Sequence, residues 1–175
     1  MKKAVGISGS IRKGSYNRLL IENAFSLLPP EYEHELIDIS KVPLYSQDLE
    51  EPASVTEVRL KLSNSDLVFI STPEYNHSYS GVLKNAIDWI SRPVEHNPLA
   101  GKVVALMSAS TGSIGGARAQ EHLRVVLEAL GAIVVPKPEV IVTNAERKFS
   151  ADGKLADPVS IKYLSELVEY AIKLS

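Results

Sequence analysis

The chain contains no cysteine, and that absence removes several chemistries together. Disulfides, a thiolate nucleophile, a Cys-ligated metal and a cysteine-phosphatase loop are all excluded. Long apolar runs are missing as well, and nothing approaches the roughly 18 continuous apolar residues of a membrane-spanning helix. Met1-Lys2-Lys3 looks like the basic start of a signal peptide, but the apolar stretch behind it breaks early, at Ser8-Gly9-Ser10. Charge of one sign is scarce: the formal net charge is −2, which gives neither nucleic acid nor a membrane surface a field to follow. His34, His77, His96 and His122 show neither H-E-x-x-H nor H-x₃-H spacing, so no metal site is expected. These absences predict a cytoplasmic protein acting on small molecules.

What remains is a chain of 175 residues with 45% apolar content, enough for one substantial core and short for two. Residues 1–175 are therefore expected to form a single domain. Short apolar runs alternate with helical periodicities. Ala4 to Ser8 reads as a strand, and Leu20, Ala24 and Leu27/Leu28 mark the buried face of a first helix ended by Pro29-Pro30. Glu35 to Ile39 reads as a second strand, and Val55, Val58 and Leu62 as the stripe of a second helix. Asp66 to Ser71 is continuously apolar from Leu67 to Ile70, as in a parallel strand covered on both faces. A helix over 81–91, a strand over 102–107 and a helix closed by Gly131 follow. Ile133 to Val135 and Val140 to Val142 share a fifth strand position interrupted by Pro136 and Pro138. Asp157-Pro158 opens the last helix, with Ile161, Leu164, Val168 and Ile172 facing inward. Strict β/α alternation predicts a doubly wound, five-stranded parallel sheet. In such sheets ligands sit beyond the carboxyl ends of the strands, at the switch point. The unusual loops follow strands one, three and four, which the order 2-1-3-4-5 brings together.

The first of these loops is Gly9-Ser10-Ile11-Arg12-Lys13-Gly14-Ser15-Tyr16-Asn17. Ser15 is a good N-cap, and the free N–H groups of the helical turn behind it suit an oxyanion. Helix-terminus electrostatics contribute ~0.3–1 kcal/mol and each hydrogen bond to a charged group roughly 1.5–3 kcal/mol. Three or four donors therefore hold a phosphate well. The loop is no Walker A, because Ser15 and Tyr16 stand where lysine and Ser/Thr must be, and it lacks the G-x-G-x-x-G fingerprint. A capped helix after an ordinary turn is the plain alternative. Pro73-Glu74-Tyr75-Asn76 after strand three offers amides and an aromatic wall to a planar heterocycle, or anchors a surface loop. Ser110-Thr111-Gly112, within the glycine-rich stretch to Gly116, lets backbone approach a ligand closely, or is a flexible turn. Trp89 and Ile90 suggest either core or an apolar contact between subunits. Arg118 suits a cofactor phosphate or a salt bridge.

The motifs Gly9-Ser10-Ile11-Arg12-x-x-Ser15-x-Asn17, Pro73-Glu74-Tyr75-Asn76, Gly81-x-Leu83-Lys84-Asn85-Ala86-Ile87-Asp88-Trp89 and Gly112-x-x-Gly115-Gly116-x-Arg118 resemble the NADPH-dependent FMN reductase family, from about Lys3 to Leu130. That family includes flavin, azo-dye, quinone and chromate reductases. The resemblance implies a flavodoxin-like fold that binds FMN non-covalently and takes hydride from NADPH. Ser10, Arg12, Ser15, Tyr16 and Asn17 would take the phosphate. Pro73, Glu74, Tyr75 and Asn76 would line the isoalloxazine, and Ser110, Thr111 and Gly112 its pyrimidine side. It also implies ping-pong transfer of two electrons to a small-molecule acceptor and assembly as a homodimer or homotetramer. The competing class is a flavodoxin that shuttles single electrons between proteins. Such carriers are strongly acidic and sandwich the ring between aromatics, whereas this chain carries −2 and offers Tyr75 alone.

Overall fold

The computed structural model describes all residues, 1–175. Its elements run in the order β1 (Lys2–Ser8), α1 (Tyr16–Phe25), β2 (Tyr32–Ile37), α2 (Ala53–Ser63), β3 (Leu67–Ser71), α3 (Gly81–Ile90), β4 (Val103–Ala109), α4 (Ala117–Ala129), β5 (Ile133–Val134), β6 (Val140–Val142) and α5 (Pro158–Leu174). The parallel sheet has the order β2-β1-β3-β4-β5, with β6 also paired to β4. Because β5 meets Val103 and Val104 while β6 meets Met107 to Ala109, one strand position is filled in two pieces. Pro136 and Pro138 between them offer no N–H to the ladder, which is why the strand breaks there.

Strand alternation sorts the core into two layers. Val5, Ile7, Val68, Ile70, Val104 and Leu106 face α2, α3 and α4. Ala4, Leu67, Phe69, Val103, Ala105 and Met107 face α1 and α5. Phe69 is fully buried at the sheet centre and meets Phe25 edge to face at 5.7 Å; truncation to alanine there would cost about 3–5 kcal/mol. Helix α1 lies so close to β1 that a Cβ at Gly6 would come within 2.4 Å of Ile21. No helix is long and apolar enough to cross a membrane.

Several local expectations shift. Helix α1 ends at Phe25, so its buried face is Leu20, Ile21, Ala24 and Phe25, and Leu27 points to solvent. Strand β2 starts earlier than its apolar residues suggest, because it is an edge strand whose middle, Glu33 to Glu35, is exposed. In α5 the inward residues are Leu164, Leu167, Val168 and Ala171, while Ile161 is exposed. Trp89 and Ile90 are 4% and 1% exposed, so neither is a contact surface between subunits. Trp89 instead donates its indole N–H to the Pro43 carbonyl at 2.8 Å and packs edge-on against Tyr45. Lys84 and Asp88 pair with each other at 2.7 Å on the same helix.

Candidate functional site

The loops after β1, β3 and β4 converge at the carboxyl end of the sheet. Ser10, Arg12, Ser15, Tyr16, Asn17, Pro73, Glu74, Tyr75, Ser110 and Thr111 line one cavity there, together with Ala109. Asn76 and Gly112 stand outside its lining. The enclosed part is about 100 Å³, room for a phosphate group but not for a ring system, which would have to lie in the open mouth. A larger cavity of about 480 Å³ lies along the β2 edge, lined by Lys3, Tyr32, His34 and Lys61, and contains none of these loop residues.

The cradle is built from unpaired donors. Ser15 caps α1, its hydroxyl accepting from the Arg18 N–H at 3.4 Å, and its carbonyl accepts from Leu19. The backbone N–H groups of Arg12, Ser15, Tyr16 and Asn17 find no acceptor within the chain. They sit at the positive end of α1, where such groups suit an anion. Arg12 is exposed and pairs with no carboxylate. The one carboxylate lining the cavity is turned away from that role. Glu74 accepts from the Arg118 guanidinium and from the Arg118 backbone N–H, both at 3.2 Å, tying the β3 loop to the start of α4. Arg118 is therefore a brace between loops.

Asn17 corrects the simplest expectation. Its side chain is buried and points at the sheet: Oδ1 accepts from the Ser71 hydroxyl and the Ala109 N–H, and Nδ2 donates to the Ala109 carbonyl, each at 2.9 Å. It pins α1 to the ends of β3 and β4, and its backbone N–H is left without an acceptor. Tyr16 rests its ring on Phe149 at 5.4 Å.

The β3 loop closes as a tight hairpin, with Tyr75 and Ser78 exchanging both backbone hydrogen bonds at 2.8 and 3.1 Å. Asn76 and His77 between them take positive φ, as such turns require. That leaves Tyr75 half exposed beside the cavity. The β4 loop is held from behind. Ser110 donates its N–H to Val142 and accepts from Ala145, and Gly112 accepts from Asn144. Gly116 has φ +99, and a Cβ there would lie 2.6 Å from Ser108, so only glycine lets α4 start this close to β4. Sequence reasoning missed Ser71, Asn144 and Phe149, which support the site without lining the cavity. No local signal marks them, because each acts on a residue distant in the chain.

An ordered set of βα loops around an anion cradle, on a sheet of this order, defines a flavodoxin-like protein. The chain matches the NADPH-dependent FMN reductase family over residues 2–147 and belongs to that family. It is 48% identical over 158 residues to an NAD(P)H-dependent FMN reductase of Pseudomonas aeruginosa, covering 89% of this chain and 85% of that protein. A quinone reductase of Escherichia coli K12 is 39% identical over 169 residues, 93% of this chain and 89% of that one. Among solved structures, the flavoenzyme NAD(P)H:(acceptor) oxidoreductase FerB of Paracoccus denitrificans superposes with a TM-score of 0.89 at 35% identity, covering 99% of this chain and 98% of the other. The protein is thus an oxidoreductase of this family.

Proposed function

We propose that the protein binds FMN at the loop cluster and runs NAD(P)H oxidation and acceptor reduction as two separate half-reactions. The observation that carries this is the run of unpaired N–H donors from Arg12 to Asn17 beside an unpaired Arg12 guanidinium. A phosphate monoester fits that donor set, since it needs several hydrogen bonds and a cation and no metal or cysteine. When bound, FMN supplies the hydride acceptor for NAD(P)H and the two-electron donor for a quinone, an azo dye or a second flavin.

The chain's residues bind and orient. Ser10, Arg12 and the α1 terminus hold the phosphate end, Pro73, Glu74 and Tyr75 form one wall for the ring, and Ser110 and Thr111 the other. The Glu74–Arg118 pair keeps those walls at a fixed separation. The one carboxylate that lines the cavity, Glu74, is held by Arg118, and neither histidine nor cysteine lines it. The protons an acceptor needs therefore come from solvent through the open mouth.

Stopped-flow absorbance and steady-state kinetics test this reading. Anaerobic NADPH should bleach the flavin band before any acceptor is added. Varying NADPH at several fixed quinone concentrations should give parallel double-reciprocal lines. Intersecting lines would reject the two-half-reaction scheme, and a flavin band unmoved by NADPH would favour a one-electron carrier.

A further inference from the structure

Helix α5 has two apolar faces. Leu164, Leu167, Val168 and Ala171 form the one that packs on the core. Val159, Tyr163, Tyr170 and Leu174 form a second, a stripe about 60° wide and centred about 90° from the first. Each of those four side chains is 40–60% exposed. The other helices show nothing similar: α1 and α3 expose no large apolar side chain, α2 exposes Leu60 and α4 exposes Val125. Beside Tyr170 lies a cavity of about 450 Å³, walled by Glu166, Glu169 and Lys173 of the same helix and by Lys137 and Pro138. Lys137, Glu169 and Lys173 pair with no opposite charge in the chain.

The spacing of the stripe says what covers it. Val159 and Leu174 lie equally far from the midpoint between Glu166 and Leu167, and so do Tyr163 and Tyr170. A second α5 laid antiparallel across that midpoint sets Val159 of each copy against Leu174 of the other, and Tyr163 against Tyr170. That is the condition for a two-fold contact, in which residue i meets j and j meets i. We infer that α5 is a self-association surface whose partner is a second copy of this chain, the Tyr163 ring of each entering the groove beside Tyr170 of the other. The charges agree. One flank of the stripe carries Lys162, Glu166, Glu169 and Lys173, both signs in equal number, so two such flanks meet without net repulsion. Glu166, nearest the axis, is paired with Lys162 of its own helix at 3.8 Å. A balanced flank gives an anionic membrane no field to follow. The stripe is about 22 Å long and one helix diameter, about 10 Å, wide. The resulting area of about 220 Å² per copy is far below the roughly 800 Å² of a standard interface. The pairing is therefore weak, with a dissociation constant on the order of 0.1 mM, and uses no residue of the flavin cavity.

Sedimentation velocity of the full chain from about 5 to 500 µM, a range that brackets that constant, tests the pairing. The wild type should show a concentration-dependent doubling of its mass, whether the unit that doubles is one chain or an assembly built on another face. Tyr163→Glu and Tyr170→Glu should each weaken that step at least about tenfold, because each puts a charge in the apolar contact. Both side chains are exposed, so thermal melts and FMN affinity should stay at their wild-type values. Cross-linking tests the register. The chain has no cysteine, so Val159→Cys and Leu174→Cys each place one thiol at one end of the stripe. A short bis-maleimide should join the two variants when they are mixed and neither when it is alone, since like ends lie about 22 Å apart in the antiparallel pair. No doubling at the highest concentration would overturn the inference, as would a doubling that both glutamate variants leave unmoved. Either cysteine variant cross-linking to itself as well as to the other would overturn the antiparallel register. A wild type that stays undoubled but floats with anionic vesicles would overturn it too, and assign the stripe to a bilayer.

Discussion

Replacing Asn17 by alanine separates a residue that touches the ligand from one that holds the site in shape. The side chain satisfies the Ala109 N–H, the Ala109 carbonyl and the Ser71 hydroxyl, all at 2.9 Å in a buried position. The hydroxyl can rotate to another acceptor, but the two backbone groups are fixed by β4 and would be left unpaired. Each buried orphan costs about 1–3 kcal/mol, so the substitution should cost about 3 kcal/mol in total. A domain with the usual margin of about 5–15 kcal/mol still folds after that loss. Urea unfolding of the flavin-free protein measures the stability change, and fluorescence titration measures FMN and riboflavin affinity. Because Ala109 leads directly into Ser110 and Thr111, its release should weaken both ligands by the same factor. A stability loss under about 1 kcal/mol, or an effect on FMN alone, would refute the pin and restore Asn17 as a direct phosphate ligand.

Arg12→Ala should behave the opposite way, weakening FMN by roughly 1.5–3 kcal/mol and leaving riboflavin, which has no phosphate, unchanged in the same titration. Asp157 caps α5, accepting from the Ser160 N–H at 2.8 Å and the Ser160 hydroxyl at 2.6 Å. Those bonds, with Lys148 behind them, lower its carboxyl below the ordinary value. A lowered folded pKa means the stabilisation is present above the unfolded value of about 3.9 and is lost as pH falls through the folded one. Asp157→Ala should therefore cost about 1 kcal/mol near neutrality. Calorimetric scans should show a Tm lower by about 2–4 °C, and the gap should narrow as the pH is taken below that of the unfolded carboxyl.

The parts of this fold that the sequence announces are those decided within a few residues. Ser15 ahead of α1 and Asp157-Pro158 ahead of α5 are local capping chemistry and stand where expected. Alternation announces a parallel, doubly wound sheet, and the order 2-1-3-4-5 that brings three loops together comes with the family resemblance. What was not legible depends on partners distant in the chain. Asn17 looks like a phosphate ligand until Ala109, 92 residues away, takes its side chain. Trp89 looks like a contact residue until the Pro43 carbonyl claims its N–H. Strand β2 was misplaced because an edge strand with an exposed middle carries no continuous apolar run.

The broken fifth strand has a consequence for how copies of this chain can meet. A sheet edge is a row of free N–H and C=O groups, and a long one templates pairing with another chain. Here one edge is cut into stretches of two and three residues, with Pro136 and Pro138 between them. The other edge, β2, carries exposed Glu33, His34 and Glu35, with Lys61 held 2.9 Å from Glu35. Neither side invites a neighbouring strand to extend the ladder. A sheet this apolar at its centre is thereby shielded from growing into a fibre, and any orderly association is left to the outer faces of the helices.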